Sequence, residues 1–176
     1  MQVFIAHIQR AGTLAMTALE IVEADLQRED HQHAVLELVN AYAQDPMGAG
    51  QSLPQENLRR LIPGLREHPT TLIFLAYQDE SPIGIAVCFL GFSTFAAQPL
   101  INIHDLAILP EHRGRGIGRQ LLAAVERKAR DMGCCKLTLE VQENNHRARG
   151  VYGEFGFEQA VHKAEAGGAL FLSKRL

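Results

Sequence analysis

Three glycines at alternate positions, Gly114, Gly116 and Gly118, lie between an apolar run and an amphipathic segment of the chain. Glycine adopts positive φ without strain and lets the backbone approach a ligand closely. If the amphipathic segment is a helix, its first turn offers unpaired N–H groups and a positive dipole end, which suit a phosphate. Arg113 and Arg115 add positive charge to the same turn. A tight strand-to-helix turn would need only one of the glycines, so the segment predicts an anion-binding turn.

The spacing of these glycines excludes two common nucleotide-binding motifs. A P-loop requires Gly-Lys-Ser/Thr, but Gly118 is followed by Arg119 and Gln120. The dinucleotide fingerprint requires G-x-G-x-x-G after a first strand, whereas this chain has G-x-G-x-G late in its sequence. The pattern that remains is Arg-x-x-Gly-x-Gly, which begins at Arg113.

The composition is that of a globular domain with its own core. Of the 176 residues, 47% are hydrophobic, so the chain can bury a core without a metal or disulfides. The formal net charge of −3 argues against a nucleic acid as partner, because nucleic-acid-binding domains usually carry a basic face. The three cysteines, Cys88, Cys134 and Cys135, have no metal-ligand spacing and suit a reducing compartment. We therefore expect a cytoplasmic protein without a metal.

The chain divides into residues 1–17 and a domain at 18–176. The first segment is a poor secretory signal, because Arg10 is the one lysine or arginine that it contains. It predicts either an N-terminal extension or an extra edge strand. The second has no repeat or linker long enough to divide it. No run approaches the length of about 18 apolar residues that a membrane span requires, so no membrane association is expected.

Hydrophobic periodicity in the domain predicts an α/β fold with the element order β-α-α-β-β-β-α-β-α-β-β. This order is typical of a mixed central sheet, here of about seven strands, flanked by about four helices. The predicted strands are 18–26, 71–77, 83–92, 99–109, 135–141, 156–162 and 168–175, and the predicted helices are 30–43, 54–67, 116–132 and 145–154.

Two separated motifs resemble those of the GNAT superfamily of acyl-CoA N-acyltransferases. The first joins Leu-Ala-Ile-Leu-Pro at 106–110 to the glycine turn, and it is similar to the family's pyrophosphate-binding turn. The second, similar to the family's other cofactor motif, is Asn145-x-x-Ala148-x-x-x-Tyr152-x-x-x-Gly156-Phe157. One predicted helix and one predicted strand separate the two motifs. The resemblance covers residues 104–157 and implies a single-domain GNAT fold with acetyl-CoA as cosubstrate.

The resemblance also implies which residues hold each part of the cofactor. The backbone of Leu106, Ala107 and Ile108 is implied to pair with the pantetheine arm like an added strand. Asn145 is placed to bond the pantetheine amides or to cap the last helix, and these roles do not exclude each other. The residues implied to hold the pyrophosphate are Arg113, Gly114, Arg115, Gly116, Ile117 and Gly118. Tyr152 is counted with the cofactor-binding residues because it belongs to the second motif.

The strand before the turn changes hydrophobic phase in its middle. Ile101 and Ile103 define one phase, and Leu106 and Ile108 define the opposite phase. An inserted bulge near His104 would produce this change and would free backbone groups of the following residues for the cofactor. A strand buried on both faces is equally consistent with the pattern.

Tyr152, His104 and Asp105 are the candidate catalytic residues. Tyr152 stands where the resemblance places a general acid, and a phenol with a pKa of about 10 can protonate a departing thiolate. The alternative is a half-buried tyrosine that caps the core. His104 and Asp105 stand where related enzymes often carry the base, and the unperturbed pKa of histidine, about 6.5, suits that role. Asp105 would then bind the ammonium or orient His104, although both residues could simply satisfy a bulge.

Substrate selectivity is expected from the first two helices and their loop, with Tyr42 and Asp45 on one side and Phe92 opposite. Asp45 could attract an amine, or form a turn before the proline that follows it. The resemblance implies acetyl transfer to a primary amine of a small molecule, an amino acid or a peptide N-terminus, by direct attack in a ternary complex. The alternative is a non-catalytic acyl-CoA sensor of the same fold. The resemblance also implies a homodimer.

Overall fold

The computed structural model describes residues 18–160 and 171–174 and has the predicted elements in the predicted order from the first strand to the last helix. The strands are β1 (Leu19–Glu23), β2 (Thr71–Gln78), β3 (Ser81–Ser93), β4 (Gln98–Ile108) and β5 (Leu137–Leu139). The helices are α1 (Glu29–Gln44), α2 (Gln55–Glu67), α3 (Ile117–Asp131) and α4 (His146–Glu154), with a short 3-10 turn (Pro110–His112) before α3. All four predicted helices are therefore confirmed.

The strands form one mixed sheet, in sequence order, that is covered by helices on both faces. β1 to β4 are antiparallel neighbours, whereas β4 and β5 run parallel because α3 carries the chain back along the sheet. Successive residues of a strand face opposite sides. Phe74 and Ala86 accordingly belong to the core that contains α3, and Leu75 and Val87 belong to the core that contains α1 and α2. The predicted α/β class is confirmed.

The bulge predicted in β4 is present at His104. Asp105 pairs with Val87 of β3, but the next pair is Ile103 with Cys88, so His104 is the extra residue on β4. The residues of both hydrophobic phases, Ile101, Ile103, Leu106 and Ile108, consequently contact the same α3-facing core. The bulge thus explains the change of hydrophobic phase in the sequence.

β5 is shorter than predicted because the sheet divides at this bulge. Its pairing with β4 covers Ile101 to Ile103 and stops one residue before His104. Beyond that point, within the described residues, β4 is paired on its β3 side alone. The end of β4, residues 106–108, therefore has an edge beside the glycine turn that pairs with no described strand.

Two further predictions fall at least partly outside the described residues. The closing strands predicted at 156–162 and 168–175 are covered in part, and the parts that the structure describes contain no strand. The N-terminal segment, residues 1–17, lies wholly outside the described residues. The sheet therefore has five described strands, against about seven predicted.

Candidate functional site

The glycine turn has the backbone conformation that its sequence predicts. Gly114 and Gly116 both have φ of 80°, and Gly116 is the residue before the first turn of α3. An added Cβ at Gly116 would meet no atom within 4 Å, so the left-handed conformation, and not a lack of space, requires glycine there. Ile117 is buried at 4% exposure and anchors the start of the helix. The N–H groups of the first turn of α3 have no partner within the helix and are available to an anion.

A cleft of about 710 Å³ opens between the end of β4, the start of α3 and the first turns of α4. The cleft brings together twelve of the predicted site residues, which come from five separate parts of the chain. They are Tyr42, Asp45, Leu106, Ala107, Ile108, Arg113, Gly114, Gly116, Ile117, Gly118, Asn145 and Tyr152. The free edge of β4 and two helix N-termini thus face one space.

The structure does not place four predicted residues on the wall of this cleft. Arg115 is exposed and is not part of the lining. Phe92 is 62% exposed and pairs with Pro99, at the far end of the β3–β4 hairpin. That pairing puts Phe92 on the order of 20 Å along the strand from the free edge of β4. His104 and Asp105 lie beside the cleft at the bulge, without lining it.

Arg113 is bonded within the protein and not directed at a ligand. Its Nε donates to the carbonyl of Ile108 at 2.8 Å, and its guanidinium donates to Oδ2 of Asp45 at 2.5 Å. The Asp45 side chain is 9% exposed, and its other oxygen accepts from the backbone N–H of Met47 at 2.8 Å. The N–H of Met47 and the Arg113 guanidinium both lower the pKa of Asp45. The carboxylate predicted to attract an amine is therefore already engaged, and it ties the α1–α2 loop to the glycine turn.

The Asp45–Arg113 pair predicts a loss of stability in acid. Because the folded state lowers the pKa of Asp45, the pair stabilises the protein above the unfolded pKa, about 3.9, and this contribution disappears as the pH falls through the folded value. We expect Asp45→Asn to unfold at a lower temperature than wild type at pH 7. The two melting temperatures should converge as the pH falls from about 5 through the folded pKa of Asp45. A gap that stays constant over this range would contradict the assignment.

Tyr152 is the predicted acid, and its surroundings keep it protonated. Burial raises the pKa of its phenol to about 12, with a smaller contribution from the charge of Tyr42 when ionised. Its ring packs edge-on against Phe157, with centroids 5.8 Å apart, which fixes the ring beside the cleft. A protonated phenol at the cleft wall is able to donate a proton to a leaving group.

The bulge puts His104 and Asp105 on the same face of the sheet, whereas simple alternation would separate them. The ring of His104 packs edge-on against Phe89, and Asp105 is opposite Val87; both partners belong to the core beneath α1 and α2. His104 is exposed, but Asp105 is partly buried, and this burial raises its pKa against the opposing charge of His104. The charge of Asp105 in turn raises the pKa of Tyr42, after the larger effect of burial.

Asn145 caps α4, which is one of its two predicted roles. Its Oδ1 accepts from the backbone N–H of Ala148 at 3.1 Å, and the residue lines the cleft. The loop before α4 is connected to the α1–α2 loop as well, because Nε2 of Gln142 donates to the carbonyl of Met47 at 3.1 Å. This hydrogen bond joins the loop before α4 to Met47, which lines the cleft.

Sequence reasoning did not identify several residues of the lining, among them Arg119 and Arg147. Arg119 forms an ion pair with Glu154 of α4. Arg147 lies in the first turn of α4, with its guanidinium 3.4 Å from the position that a Cβ on Gly114 would take. The available signal was the absence of acidic residues from a first turn that carries His146 and Arg147.

No helix of the described residues has both the length and the apolar character needed to cross a membrane. In the same part of the chain, no group of three or more histidine, cysteine or acidic side chains is arranged to hold a metal ion.

The family model described as "Acetyltransferase (GNAT) family" matches residues 25–157, and the chain belongs to this family of acetyl-CoA-dependent N-acetyltransferases. Two relatives in Bacillus subtilis (strain 168) are uncharacterized N-acetyltransferases. YhfO is 29% identical over 53% of this chain and 62% of its own length. YycN is 26% identical over 80% of this chain and 94% of its own length. A thialysine N-epsilon-acetyltransferase of Bos taurus is 34% identical over 45% of this chain and 46% of its own length. The chain thus spans less than two thirds of two of these relatives.

A solved structure of low sequence identity supports the fold. The aminoglycoside N-acetyltransferase AAC(6')-Iy in complex with CoA superimposes with a TM-score of 0.72 at 19% identity, covering 93% of this chain and 99% of that chain. At this identity the likeness shows the fold alone. The GNAT fold expected from the two sequence motifs is confirmed.

Proposed function

We propose that this protein transfers an acetyl group from acetyl-CoA to a primary amine by direct attack within a ternary complex. The observation that carries the proposal is that the phenol of Tyr152 lines the same cleft as the glycine turn. Acetyl-CoA would supply the thioester to be cleaved and a thiolate as leaving group. The acid and the phosphate-binding turn thus stand where a single extended ligand could reach both.

The residues present fit this ligand. The edge of Leu106, Ala107 and Ile108 that no described strand covers would accept the amide-containing pantetheine arm as an extra strand, with the carbonyl of Ile108 already accepting one hydrogen bond from Arg113. Gly114 and Gly116, both at positive φ, would turn their neighbouring N–H groups toward the pyrophosphate at the start of α3. Asn145 would add its amide N–H₂ group, because its oxygen is already used as the cap of α4.

Direct attack is favoured because the described residues that line the cleft include no serine, threonine or cysteine nucleophile for a covalent acetyl-enzyme. Cys88 is fully buried in the core, and burial followed by the charge of Asp105 raises its thiol pKa to about 12, so it is not a thiolate at neutral pH. The acceptor amine would therefore form the new C–N bond as the C–S bond breaks, with no protein group acylated in between.

Two protons leave the acceptor nitrogen in this reaction, and one proton is delivered to the sulfur. Asp105, whose pKa is raised by burial, would take the first proton from the acceptor ammonium through an intervening water, which leaves a neutral amine as nucleophile. Tyr152 would donate its phenolic proton to the sulfur that leaves. The nitrogen would lose its second proton to solvent as the amide forms, and solvent would return a proton to Tyr152. His104 is exposed and packs against Phe89, so we assign the role of the base to Asp105. The charge of His104 would lower the pKa of Asp105.

The acceptor is expected to enter beside Tyr42 and Met47, which line the cleft at the C-terminal end of α1. Asp45 would act indirectly there, since its carboxylate holds Arg113 and the N–H of Met47. The names of the thialysine and aminoglycoside enzymes both specify an amine acceptor, which supports a primary amine as the acceptor class here. A small molecule, an amino acid and a peptide N-terminus are the forms to be tested.

The test of this proposal is release of free CoA thiol from acetyl-CoA in the presence of panels of small amines, amino acids and peptides. We expect turnover with at least one class, and initial rates that depend on both substrates in an intersecting pattern. Tight binding of CoA by calorimetry without acetylation of any acceptor would favour the alternative, a non-catalytic acyl-CoA sensor. Parallel initial-rate lines would contradict direct attack.

Matched amide substitutions identify the base. We expect Asp105→Asn to lower kcat/KM by about 10²-fold or more and to remove the acid limb of its pH profile, because the side chain no longer accepts a proton. His104→Gln should reduce the rate less and keep that limb. A larger loss in His104→Gln than in Asp105→Asn would transfer the role of the base to His104.

A further inference from the structure

Three aromatic side chains form a row next to the bulge, on the side of the sheet that faces α1 and α2. The ring of Phe89 lies between those of His68 and His104, with centroid distances of 5.0 and 5.6 Å and an interplanar angle of 68° in both contacts. Both histidines are exposed and Phe89 is half-buried, so the row can still contact a ligand. We call this row of His68, Phe89 and His104 the aromatic shelf.

The fold holds each ring of the aromatic shelf in place. Phe89 belongs to β3 and packs against the core beneath α1 and α2. His68 directly follows α2, and its Nδ1 lies 3.3 Å from Oγ1 of Thr70, within hydrogen-bond distance. His104 is the extra residue of the bulge in β4. A surface that is formed before the ligand arrives loses little conformational entropy when the ligand binds.

The aromatic shelf adjoins the residue to which we assign the role of the base. Val87, which pairs with Asp105, is two residues from Phe89 along β3, a distance of about 7 Å. Tyr42 lies on the other side of Asp105, because it lines the cleft together with Ala107. An acceptor whose nitrogen is at Asp105 would therefore have the shelf within reach of the rest of its molecule.

The chemistry of the aromatic shelf favours a ring over a second positive charge. Aromatic rings attract one another in edge-on and offset arrangements beyond the effect of the apolar area that they bury. None of the three shelf residues carries a carboxylate, and Asp105 would already be engaged with the reacting nitrogen. An acceptor with several ammonium groups would need further carboxylates to pair with them.

From this geometry we infer that the aromatic shelf binds the body of the acceptor, that the acceptor class is an aromatic primary monoamine, and that Phe89 determines this selectivity. The inference rests on the proposed acetyl transfer to a primary amine. The ring of the acceptor packs on Phe89 between the two imidazoles, while its amine is held at Asp105. A short saturated arm between the ring and the amine spans the separation.

The test compares 2-phenylethylamine, ethylamine and spermidine as acceptors for the full-length chain, by release of CoA thiol. We expect kcat/KM for 2-phenylethylamine to exceed that for either other amine by about tenfold or more, mainly through a lower KM. Phe89→Leu keeps an apolar contact with the core but removes the ring. It should lower kcat/KM for 2-phenylethylamine by about fivefold or more and leave that for ethylamine unchanged.

A pair of histidine substitutions supplies a matched control. We expect His68→Ala to raise KM for 2-phenylethylamine by about two- to fivefold, because one side of the shelf is removed. His33→Ala should leave KM at the wild-type value, since His33 is exposed on α1 and belongs to neither the cleft nor the shelf. Calorimetric titration of the CoA-loaded protein with 2-phenylethylamine should give the same order of affinities.

Several results would overturn the inference. Equal kcat/KM for 2-phenylethylamine and ethylamine in wild type, or a preference for spermidine, would do so. An equal loss with both monoamines in Phe89→Leu would leave Phe89 a merely structural role and would count in the same way. Turnover of amino acids or peptides without turnover of 2-phenylethylamine would also overturn it. If wild type acetylates no amine of any class, the proposed function fails first, and the two failures are thereby distinguishable.

Discussion

Replacement of Tyr152 by phenylalanine is expected to lower kcat by about 10²- to 10³-fold and to change the affinity for CoA only a few-fold. The substitution removes the proton donor but keeps the ring that packs against Phe157. A loss confined to kcat is the kinetic sign of an interaction made in the transition state. Initial-rate kinetics with an acceptor found in the amine panel, together with calorimetry for CoA, would measure both quantities. Full turnover by Tyr152→Phe would exclude this residue as the acid.

Tyr77→Phe is the matched control for this substitution. The hydroxyl of Tyr77 is buried on the other side of the sheet and has no hydrogen-bond partner among the described residues. Removal of an unsatisfied buried hydroxyl should leave the stability unchanged or raise it, and should leave kcat unchanged. Because the pKa of Tyr152 is about 12, wild-type kcat should also show no loss from phenol ionisation up to about pH 10.

Gly48→Ala is expected to destabilise the protein by about 1–3 kcal/mol and to impair acceptor turnover. A Cβ at Gly48 would lie 2.1 Å from the backbone carbonyl oxygen of Tyr42, which no side-chain rotation can relieve. The α1–α2 loop would have to shift, and this loop carries Asp45, which holds Arg113, and Met47, which lines the cleft. Urea unfolding followed by circular dichroism would measure the change in the free energy of unfolding.

Gly64→Ala tests whether this effect arises from the contact and not from the loss of a glycine. Gly64 lies inside α2, its φ is negative, and an added Cβ would meet nothing within 4 Å. Alanine there should stabilise the protein by about 0.5–1 kcal/mol, because glycine loses more backbone entropy in a helix. Changes of the same sign in Gly48→Ala and Gly64→Ala would contradict the structural explanation.

The sequence predicted those parts of the site that depend on local pattern. The reversal of phase between Ile103 and Leu106 indicated a bulge as one of two explanations, because a period of two does not change within a regular strand that has one buried face. The alternate glycines predicted the positive φ of Gly114 and Gly116, because few other residues adopt it. In each case the physical cause acts over a few residues, so the local sequence is enough to predict the feature.

The parts that the sequence did not predict depend on contacts between distant residues. Asp45 and Arg113 are separated by 68 positions, and nothing near Asp45 distinguishes a loop carboxylate that binds substrate from one that holds an arginine. Phe92 is expected from the sequence to lie opposite the first two helices and their loop, yet the hairpin register carries it to the far end of β3. The early end of β5 also follows from the bulge in its neighbour and not from its own residues.

The most direct test of the proposed site is a crystal structure of the protein with CoA bound. We predict the pyrophosphate against the backbone N–H groups of the glycine turn and the pantetheine arm along residues 106–108. We predict the sulfur within hydrogen-bonding reach of the Tyr152 hydroxyl, about 3–4 Å. CoA bound outside this cleft, or inside it with the sulfur remote from Tyr152, would contradict the proposed mechanism.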